Sequence, residues 1–359
     1  MIKGAIVTLI LPDDDINETN NSIEELKLLC DTAGLTIIET FIQKRDKIDP
    51  AFYIGKGKVL QINGLIKKNN IEYIIFEKDL SPTQLANLQD EFNIPVLDRT
   101  ALILEIFRQR AKTNEAKLQV ELAKLLYDLP HLKQKKTVTF SQQVGIKGLK
   151  GPGEKKLELD KRQIKRRILI LKKKLARIKK IRQTQRINRK DFITISLIGY
   201  TNSGKSTLLK TLTKEDVFIE DKLFATLDPK SCRLTYFTDK KVIITDTVGF
   251  IRNLPHSLIE AFKATLEEVI HSNILINIVD ISKKDFKKDI DAVYDVLKEL
   301  NVNDKPIITV FNKIDKLEKN YLLNQIYSYP NAVCISAIYR QNIDLLLEKI
   351  KEVIEKNCL

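Results

Sequence analysis

The stretch FITISLIGYTNSGKSTLLKTL at residues 192–212 joins an apolar run, a glycine-containing loop and a helical pattern. Its loop, GYTNSGKS at 199–206, has the spacing GxxxxGK[ST]. In such a loop the backbone N–H groups point at phosphates, the lysine reaches the β- and γ-phosphates, and the hydroxyl after it binds Mg²⁺. The strand–loop–helix setting therefore predicts a phosphate-binding loop within a doubly wound, mostly parallel α/β sheet.

A second segment, DTVG at 246–249, follows the apolar run VIIT and extends the predicted phosphate site. Asp246 is placed to hold Mg²⁺, and Gly249 lets its N–H approach the γ-phosphate. In the loop ATLDP at 225–229, Thr226 is the candidate that binds the metal when the triphosphate is present. The predicted magnesium ligands are therefore Ser206, Thr226 and Asp246. The predicted phosphate-binding residues are Gly199, Tyr200, Thr201, Asn202, Ser203, Gly204, Lys205, Ser206, Thr207 and Gly249.

The segment NKID at 312–315 predicts that the base is guanine. Two carboxylate oxygens of Asp315 can accept hydrogen bonds from guanine N1–H and N2–H₂, a donor pair that adenine lacks. Asn312 would tie the base loop to the phosphate loop, and the stem of Lys313 would cover the base. Ser336 and Ala337 follow the run AVCI, and the Ala337 N–H would reach guanine O6. The expected bound nucleotides are GTP and GDP, with Mg²⁺ as cofactor.

Phe250 occupies the position after DTVG, where small GTPases often carry the glutamine that orients the attacking water. A phenyl ring can neither accept a proton nor orient water. We therefore expect slow intrinsic GTP hydrolysis that a partner stimulates, and the sequence leaves the catalytic group unknown.

The whole chain divides into three predicted parts: an α/β unit at 1–98, a helical pair at 99–190 and the GTPase domain at 191–359, which contains the motifs above. In the first part we expect strands at 4–11, 35–42, 71–76 and 94–97 and helices near 20–33, 57–69 and 82–93. Ser81 followed by Pro82 predicts a clean start for the last of these helices.

The middle part carries two long helical patterns, at 99–129 and 154–189, whose apolar residues recur every three or four positions. We expect them to pack as an antiparallel pair, joined by the glycine- and lysine-rich loop 130–153. In the GTPase domain, strands are expected at 192–198, 233–238, 241–246, 274–280, 307–311 and 332–336. Helices are expected near 204–213, 257–271, 285–300 and 342–355.

The positive charge of the chain is concentrated in one segment. Residues 150–190 hold eighteen Lys or Arg and three acidic residues, whereas the whole chain has a net charge of +14. A helix that is merely solvated would mix the signs of its charges, so we expect this helix to contact nucleic acid. The candidate RNA-binding residues are Lys155, Lys156, Lys161, Arg162, Lys165, Arg166, Arg167, Lys172 and Lys173.

Composition excludes several other classes of protein. Four cysteines and three histidines lie far apart in the sequence, which disfavours a disulfide framework or a zinc site. No apolar run approaches the roughly 18 residues needed to cross a membrane. We expect a cytoplasmic protein, in part associated with a membrane surface, that acts as a monomer and does not bind DNA.

With all five GTPase motifs in order, the chain resembles the TRAFAC class of GTPases, and its flanking sequence is similar to the HflX family of the Obg-HflX superfamily. The resemblance lies in LSPTQLANLQDEF from 80, VLDRTALILEIFRQRAKTNEAKLQVELAKLLYDLPHL up to 132, GPGEKKLELDKR at 151–162, FATLDP, and DTVGFIRNLPHSLIEAFKATLEE. It covers nearly the whole chain. Members of that family bind the large ribosomal subunit, and some split stalled or hibernating ribosomes.

The resemblance implies that this chain binds the large ribosomal subunit and its RNA, and that GTP controls the binding. Two alternatives remain open. One is a GTPase that assists ribosome assembly or RNA modification. The other is a passive RNA-binding protein whose GTP site is structural, an interpretation that Phe250 supports.

Overall fold

The computed structural model describes residues 2–132, 152–187, 192–213, 223–224, 229–252, 266–302, 304–317, 329 and 332–357. The chain forms two compact units. One contains residues 1–109 and 117–176, and the other contains residues 110–116 and 177–359. The three predicted domain boundaries stay predictions, and each unit is described below by itself.

The first unit is built on a four-stranded parallel sheet with the strand order β2-β1-β3-β4. Its strands are β1 (Ile2–Ile10), β2 (Leu35–Lys44), β3 (Tyr73–Phe76) and β4 (Val96–Leu97). Three helices connect them: α1 (Ile16–Thr32), α2 (Lys56–Asn69) and α3 (Pro82–Phe92). All four predicted strands and all three predicted helices are confirmed, with shifts of a few residues at their ends.

Side-chain capping explains why α1 and α3 begin where they do. The Asp15 side chain accepts a hydrogen bond from the Asn17 N–H at the start of α1. At α3 the predicted start is confirmed: the Ser81 hydroxyl accepts from the Gln84 N–H, and the Gln84 side chain accepts from the Ser81 N–H. This reciprocal pair satisfies two backbone donors that a helix start otherwise leaves open.

The expected single helix over residues 99–129 is wrong, because the structure has two helices there. They are α4 (Arg99–Arg110) and α5 (Asn114–His131). The Thr113 hydroxyl accepts a hydrogen bond from the Ala116 N–H at 3.1 Å and so caps the start of α5. Capping by threonine stabilises a new helix start at this position.

One buried carboxylate fixes the ends of these helices within the first unit. Asp98 accepts hydrogen bonds from the Ala101 N–H at the start of α4 and from the Tyr127 hydroxyl of α5, at 2.8 and 2.9 Å. Burial raises the pKa of Asp98, an effect that the hydrogen bond from Ala101 opposes.

The basic segment forms the 36-residue helix α6 (Pro152–Ile187). Ion pairs connect it with α5: Glu121 pairs with Arg167 at 2.6 Å, and Glu115 pairs with Arg182 at 2.6 Å. The first pair lies within the first unit and the second pair within the second unit, so the antiparallel packing of the two helices stays a prediction. Ile168 and Leu171 are buried on the apolar stripe of α6.

The second unit contains a six-stranded sheet with the order β10-β9-β8-β5-β7-β6, parallel except for β6. Its strands are β5 (Phe192–Gly199), β6 (Lys230–Leu234), β7 (Lys241–Asp246), β8 (Ile274–Asp280), β9 (Ile307–Asn312) and β10 (Val333–Cys334). Its described helices are α7 (Lys205–Thr213), α8 (Glu267–His271), α9 (Phe286–Glu299) and α10 (Ile343–Asn357). The predicted helix near 257–271 is confirmed only for α8, since residues 253–265 lie outside the described part.

The expected strand at 233–238 is displaced, because β6 ends at Leu234. Leu234 pairs with Val242 of the antiparallel strand β7, and residues 235–240 form the connection between the two strands. There Tyr236 and Phe237 pack edge to face, with ring centroids 5.2 Å apart. Their apolar character had suggested strand, but the aromatic pair belongs to the turn.

In the described residues, no helix combines the length and the apolar character that crossing a membrane requires. The same residues contain no group of three or more His, Cys, Asp and Glu side chains arranged to hold a metal ion. The carboxyl ends of the parallel strands β5, β7, β8 and β9 meet at one edge of the six-stranded sheet, where ligands bind in folds of this type.

Candidate nucleotide site

The phosphate loop follows β5 and turns back on itself before α7. Gly199 and Gly204 adopt positive φ angles of 145° and 98°, which side-chain-bearing residues rarely adopt. A β-carbon on Gly204 would also collide with the side-chain amide of Asn312. Glycine at position 204 is therefore required both by the loop conformation and by the close approach of the base loop.

Lys205 lies at the centre of this loop with its ammonium directed at backbone oxygens. Its Nζ donates hydrogen bonds to the Gly199 and Tyr200 carbonyls at 3.1 and 2.7 Å. Burial lowers the pKa of Lys205 to about 8, and the nearby charge of Asp246 opposes that effect. The positive charges of Lys283 and Lys313 lower the same pKa further. A bound phosphate would relieve this accumulation of positive charge.

Two oxygen ligands suited to Mg²⁺ lie side by side at the start of α7. The Ser206 hydroxyl donates to Asp246 Oδ2 at 2.6 Å, and Asp246 is fully buried. A hydroxyl and a carboxylate are hard oxygen donors of the kind that Mg²⁺ uses together with phosphate and water. This donor set fits the metal. Thr226, the third predicted ligand, lies outside the described residues.

The DTVG segment is attached to the phosphate loop by its backbone. The Phe250 N–H donates to the Gly199 carbonyl at 3.1 Å, and the Thr201 N–H donates to the Phe250 carbonyl at 2.8 Å. Gly249 lies so close to the loop that an added β-carbon would stand 3.0 Å from Lys205 Nζ. The segment is therefore held against the place where the γ-phosphate is expected.

The Phe250 ring is buried rather than directed at that place. It is 3% exposed and packs in a cluster with the apolar side chains Ile198, Leu266, Val269 and Leu275. At this position the side chain serves the hydrophobic core of the unit. No polar atom of residue 250 other than its backbone is available for catalysis.

The base loop begins at the end of β9 and is anchored by Asn312. Its side-chain nitrogen donates to the Ser203 carbonyl at 2.9 Å, and its side-chain oxygen accepts from the Ala337 N–H at 3.0 Å. The Ala337 N–H, which was expected to reach guanine O6, is thus hydrogen-bonded to Asn312 in this structure. The buried side-chain amide of Asn312 therefore connects the base loop, the phosphate loop and the segment that contains Ala337.

The other base-loop residues lie beside Asn312. Lys313 Nζ donates to the Asn202 carbonyl at 2.8 Å and pairs with Asp280 at 2.7 Å, so its stem extends over the phosphate loop. Asp315 is exposed, and one of its oxygens accepts from the Ser336 hydroxyl at 2.5 Å. The structure thus brings all five predicted base-binding residues together.

A cluster of charged side chains around Tyr200 was not predicted from the sequence. The Tyr200 hydroxyl accepts from the Arg252 N–H at 2.9 Å. Arg252 and Lys283 both lie over the Tyr200 ring, and both pair with the buried carboxylate of Asp289, at 2.6 and 3.0 Å. No local pattern links these residues, because they come from distant parts of the chain that packing alone brings together.

The candidate RNA-binding residues lie along α6. Lys165, Arg166, Lys172 and Lys173 are exposed, and Lys161 is half-buried. Two others take part in ion pairs: Arg162 with Glu158 and Arg167 with Glu121. The side chains of Lys155 and Lys156 lie outside the described residues.

Three family models match consecutive parts of the chain. They are described as GTP-binding GTPase N-terminal over residues 20–108, GTP-binding GTPase Middle Region over 110–189, and 50S ribosome-binding GTPase over 194–313. A crystal structure of a GTP-binding protein from Sulfolobus solfataricus in complex with GDP aligns with a TM-score of 0.51. It is 28% identical, and the alignment covers 99% of each chain. A crystal structure of SsGBP with GDP aligns at 28% identity over all of both chains, with a TM-score of 0.56.

Curated relatives match along nearly the whole chain. GTPase HflX of Caldanaerobacter subterraneus is 42% identical over 99% of this chain and 81% of its own length. GTPase HflX of Flavobacterium psychrophilum is 38% identical over 99% of this chain and 91% of its own length. GTPase HflX of Escherichia coli is 39% identical over 92% of this chain and 78% of its own length. The nucleotide-site geometry and this full-length similarity agree, and the chain belongs to the GTPase HflX family.

Proposed function

We propose that this GTPase binds the large ribosomal subunit and splits or rescues stalled or hibernating ribosomes, with GTP controlling its affinity. Two observations support the proposal. The basic helix α6 exposes a run of Lys and Arg side chains suited to RNA phosphates. The family model that matches residues 194–313 is described as a 50S ribosome-binding GTPase.

Ribosomal RNA is the proposed contact of α6, and DNA is not expected. The ion pairs of Arg162 and Arg167 lie at the surface, where such pairs contribute little to stability. RNA phosphates can therefore compete for both guanidinium groups at small cost. We further propose that the protein works in the cytoplasm as a monomer.

In the proposed nucleotide complex, the backbone N–H groups of the phosphate loop and the ammonium of Lys205 bind the β- and γ-phosphates. Asp315 accepts from guanine N1–H and N2–H₂ through the open face of the base loop. Ser206, Asp246 and Thr226 would hold Mg²⁺, which when bound neutralises charge on the β- and γ-phosphate oxygens. The shift of the Lys205 pKa to about 8 supports this assignment, because a phosphate is the partner that would compensate a buried ammonium.

The burial of the Phe250 ring is the observation that favours a partner-activated enzyme. With that side chain in the core, the isolated protein lacks at this position a group that orients water. Intrinsic hydrolysis is then slow, and the ribosome completes the site by ordering nearby loops or supplying polar groups. GTP must favour the docked arrangement by a few kcal/mol to act as a useful switch.

Steady-state GTP hydrolysis with and without purified large ribosomal subunits, at one fixed salt concentration, tests this function. We expect stimulation of at least about tenfold, which corresponds to about 1.4 kcal/mol in the barrier. The Lys205→Ala variant provides the blank, since it lacks the phosphate-binding ammonium, and small subunits provide the control for nonspecific RNA. Equal rates with and without large subunits would contradict the proposal. Stimulation by precursor RNA alone would favour a role in assembly.

Asp315→Asn tests the assignment of the base. An amide cannot accept from both guanine donors, but it can donate to the O2 carbonyl of xanthine. We expect the variant to lose at least about tenfold in GTP affinity and to gain affinity for xanthosine triphosphate. Competition against a fluorescent GDP analogue measures both. An unchanged preference for GTP would show that Asp315 does not read the base.

The double variant Lys172→Glu/Lys173→Glu tests the contact between α6 and RNA. Reversing two exposed charges should weaken binding to large subunits and reduce the slope of log affinity against log salt by about 1 to 2. Sedimentation of subunit complexes at several salt concentrations measures both quantities.

Lys67→Glu/Lys68→Glu is the matched control, because these two lysines are exposed near the end of α2 and the charge change is the same. Its binding should stay close to that of the wild type. If both double variants weaken binding equally, α6 has no specific role and only the net charge matters.

A further inference from the structure

One of the predicted phosphate-binding residues, Thr201, carries a side-chain hydroxyl to which the GTPase motif assigns no specific role. Thr201 is the third residue of the phosphate loop and is 1% exposed. A β-carbon built on Gly249 would stand 2.8 Å from Thr201 Cγ2 and 3.0 Å from Lys205 Nζ. The Thr201 side chain, the DTVG backbone and the phosphate-binding ammonium therefore meet at one place.

The Thr201 hydroxyl is buried and has no hydrogen-bond partner among the residues that the structure describes. Leaving a buried hydroxyl without a partner destabilises a folded protein, so such groups are rare in native structures. The backbone N–H of the same residue, in contrast, is satisfied by the Phe250 carbonyl at 2.8 Å. An oxygen of a bound phosphate could accept the hydrogen bond that the Thr201 hydroxyl has available.

Two other side chains around the loop have roles of their own. The Ser206 hydroxyl donates to Asp246, and the Phe250 ring lies in the core. The Ser203 hydroxyl, like that of Thr201, is buried without a hydrogen-bond partner among the described residues, and it lies 3.0 Å from where a β-carbon on Gly199 would stand. Thr201 differs from Ser203 in that its side chain lies against Gly249, through the methyl carbon Cγ2.

We propose that Thr201 is a catalytic residue of GTP hydrolysis, whose hydroxyl donates a hydrogen bond to an oxygen of the γ-phosphoryl group during its transfer. The inference rests on the proposed function of the site as a ribosome-stimulated GTPase. In the reaction, the bond between the γ-phosphorus and the β–γ bridging oxygen breaks, and a bond from the γ-phosphorus to the water oxygen forms. The bridging oxygen leaves with GDP, and both protons of the water leave with the phosphate as H₂PO₄⁻. The Thr201 hydroxyl is not consumed.

A neutral donor at this place stabilises charge on the γ-phosphoryl oxygens, where phosphoryl transfer concentrates it. Removing one such preorganised donor from an enzyme typically lowers the rate by about 10² or more. Thr201 therefore accounts for part of the catalysis that Phe250 cannot supply.

The test compares Thr201→Val, which keeps the shape of the side chain, with Thr201→Ser, which keeps the hydroxyl. Single-turnover GTP hydrolysis on large subunits should fall at least about tenfold for Thr201→Val and stay within about threefold for Thr201→Ser. GDP affinity should change by less than about twofold in both. Affinity for GDP with aluminium fluoride, which imitates the transferring phosphoryl group, should fall in Thr201→Val only.

Thr8→Val is the matched control, because the Thr8 hydroxyl of β1 is also buried and without a partner in the described structure. Both valine variants should unfold at higher temperature than the wild type in the absence of nucleotide. Only Thr201→Val should lose hydrolysis.

Wild-type rates in Thr201→Val would overturn the inference, and so would a loss of GDP affinity as large as the loss of rate. If large subunits fail to stimulate the wild type, the proposed function fails. The aluminium fluoride affinities and the intrinsic single-turnover rates then still decide the role of Thr201.

Discussion

The nucleotide site depends on one buried side chain, Asn312, which is 3% exposed at the end of β9. Its amide holds the Ser203 carbonyl of the phosphate loop on one side and the Ala337 N–H on the other. Gly204 must be glycine partly because Asn312 approaches it so closely. The base-reading and phosphate-binding segments are therefore built against a common anchor, and neither can move far without the other.

The second constraint is the attachment of the DTVG segment to the phosphate loop through the backbone of Phe250. Both polar backbone atoms of this residue are hydrogen-bonded to the loop, while its ring fills the core. The arrangement fixes Gly249 beside Lys205 and Thr201, but it removes side chain 250 from the chemistry. These contacts support the proposal that the site depends on a partner for rapid hydrolysis.

Sequence patterns predicted the features whose residue types are fixed by local chemistry. The phosphate-loop motif, with Gly204 and Lys205, and the base-loop motif, with Asp315, each serve one chemical purpose, which is binding phosphate or guanine. The structure brings the described members of these motifs together. The break before α5 was missed, although Thr113 carries the signal of a helix cap. The Tyr200, Arg252 and Asp289 cluster could not have been predicted, because only tertiary packing joins those residues.

GDP affinity of the Asn312→Ala variant, measured by calorimetry beside the wild type, tests most directly whether one anchor organises the site. The substitution removes two buried hydrogen bonds and the alignment of three segments. The account predicts a loss of at least about tenfold in GDP affinity, or about 1.4 kcal/mol, with the folded state retained by circular dichroism. Wild-type affinity in a folded variant would show that the phosphate and base segments assemble without Asn312.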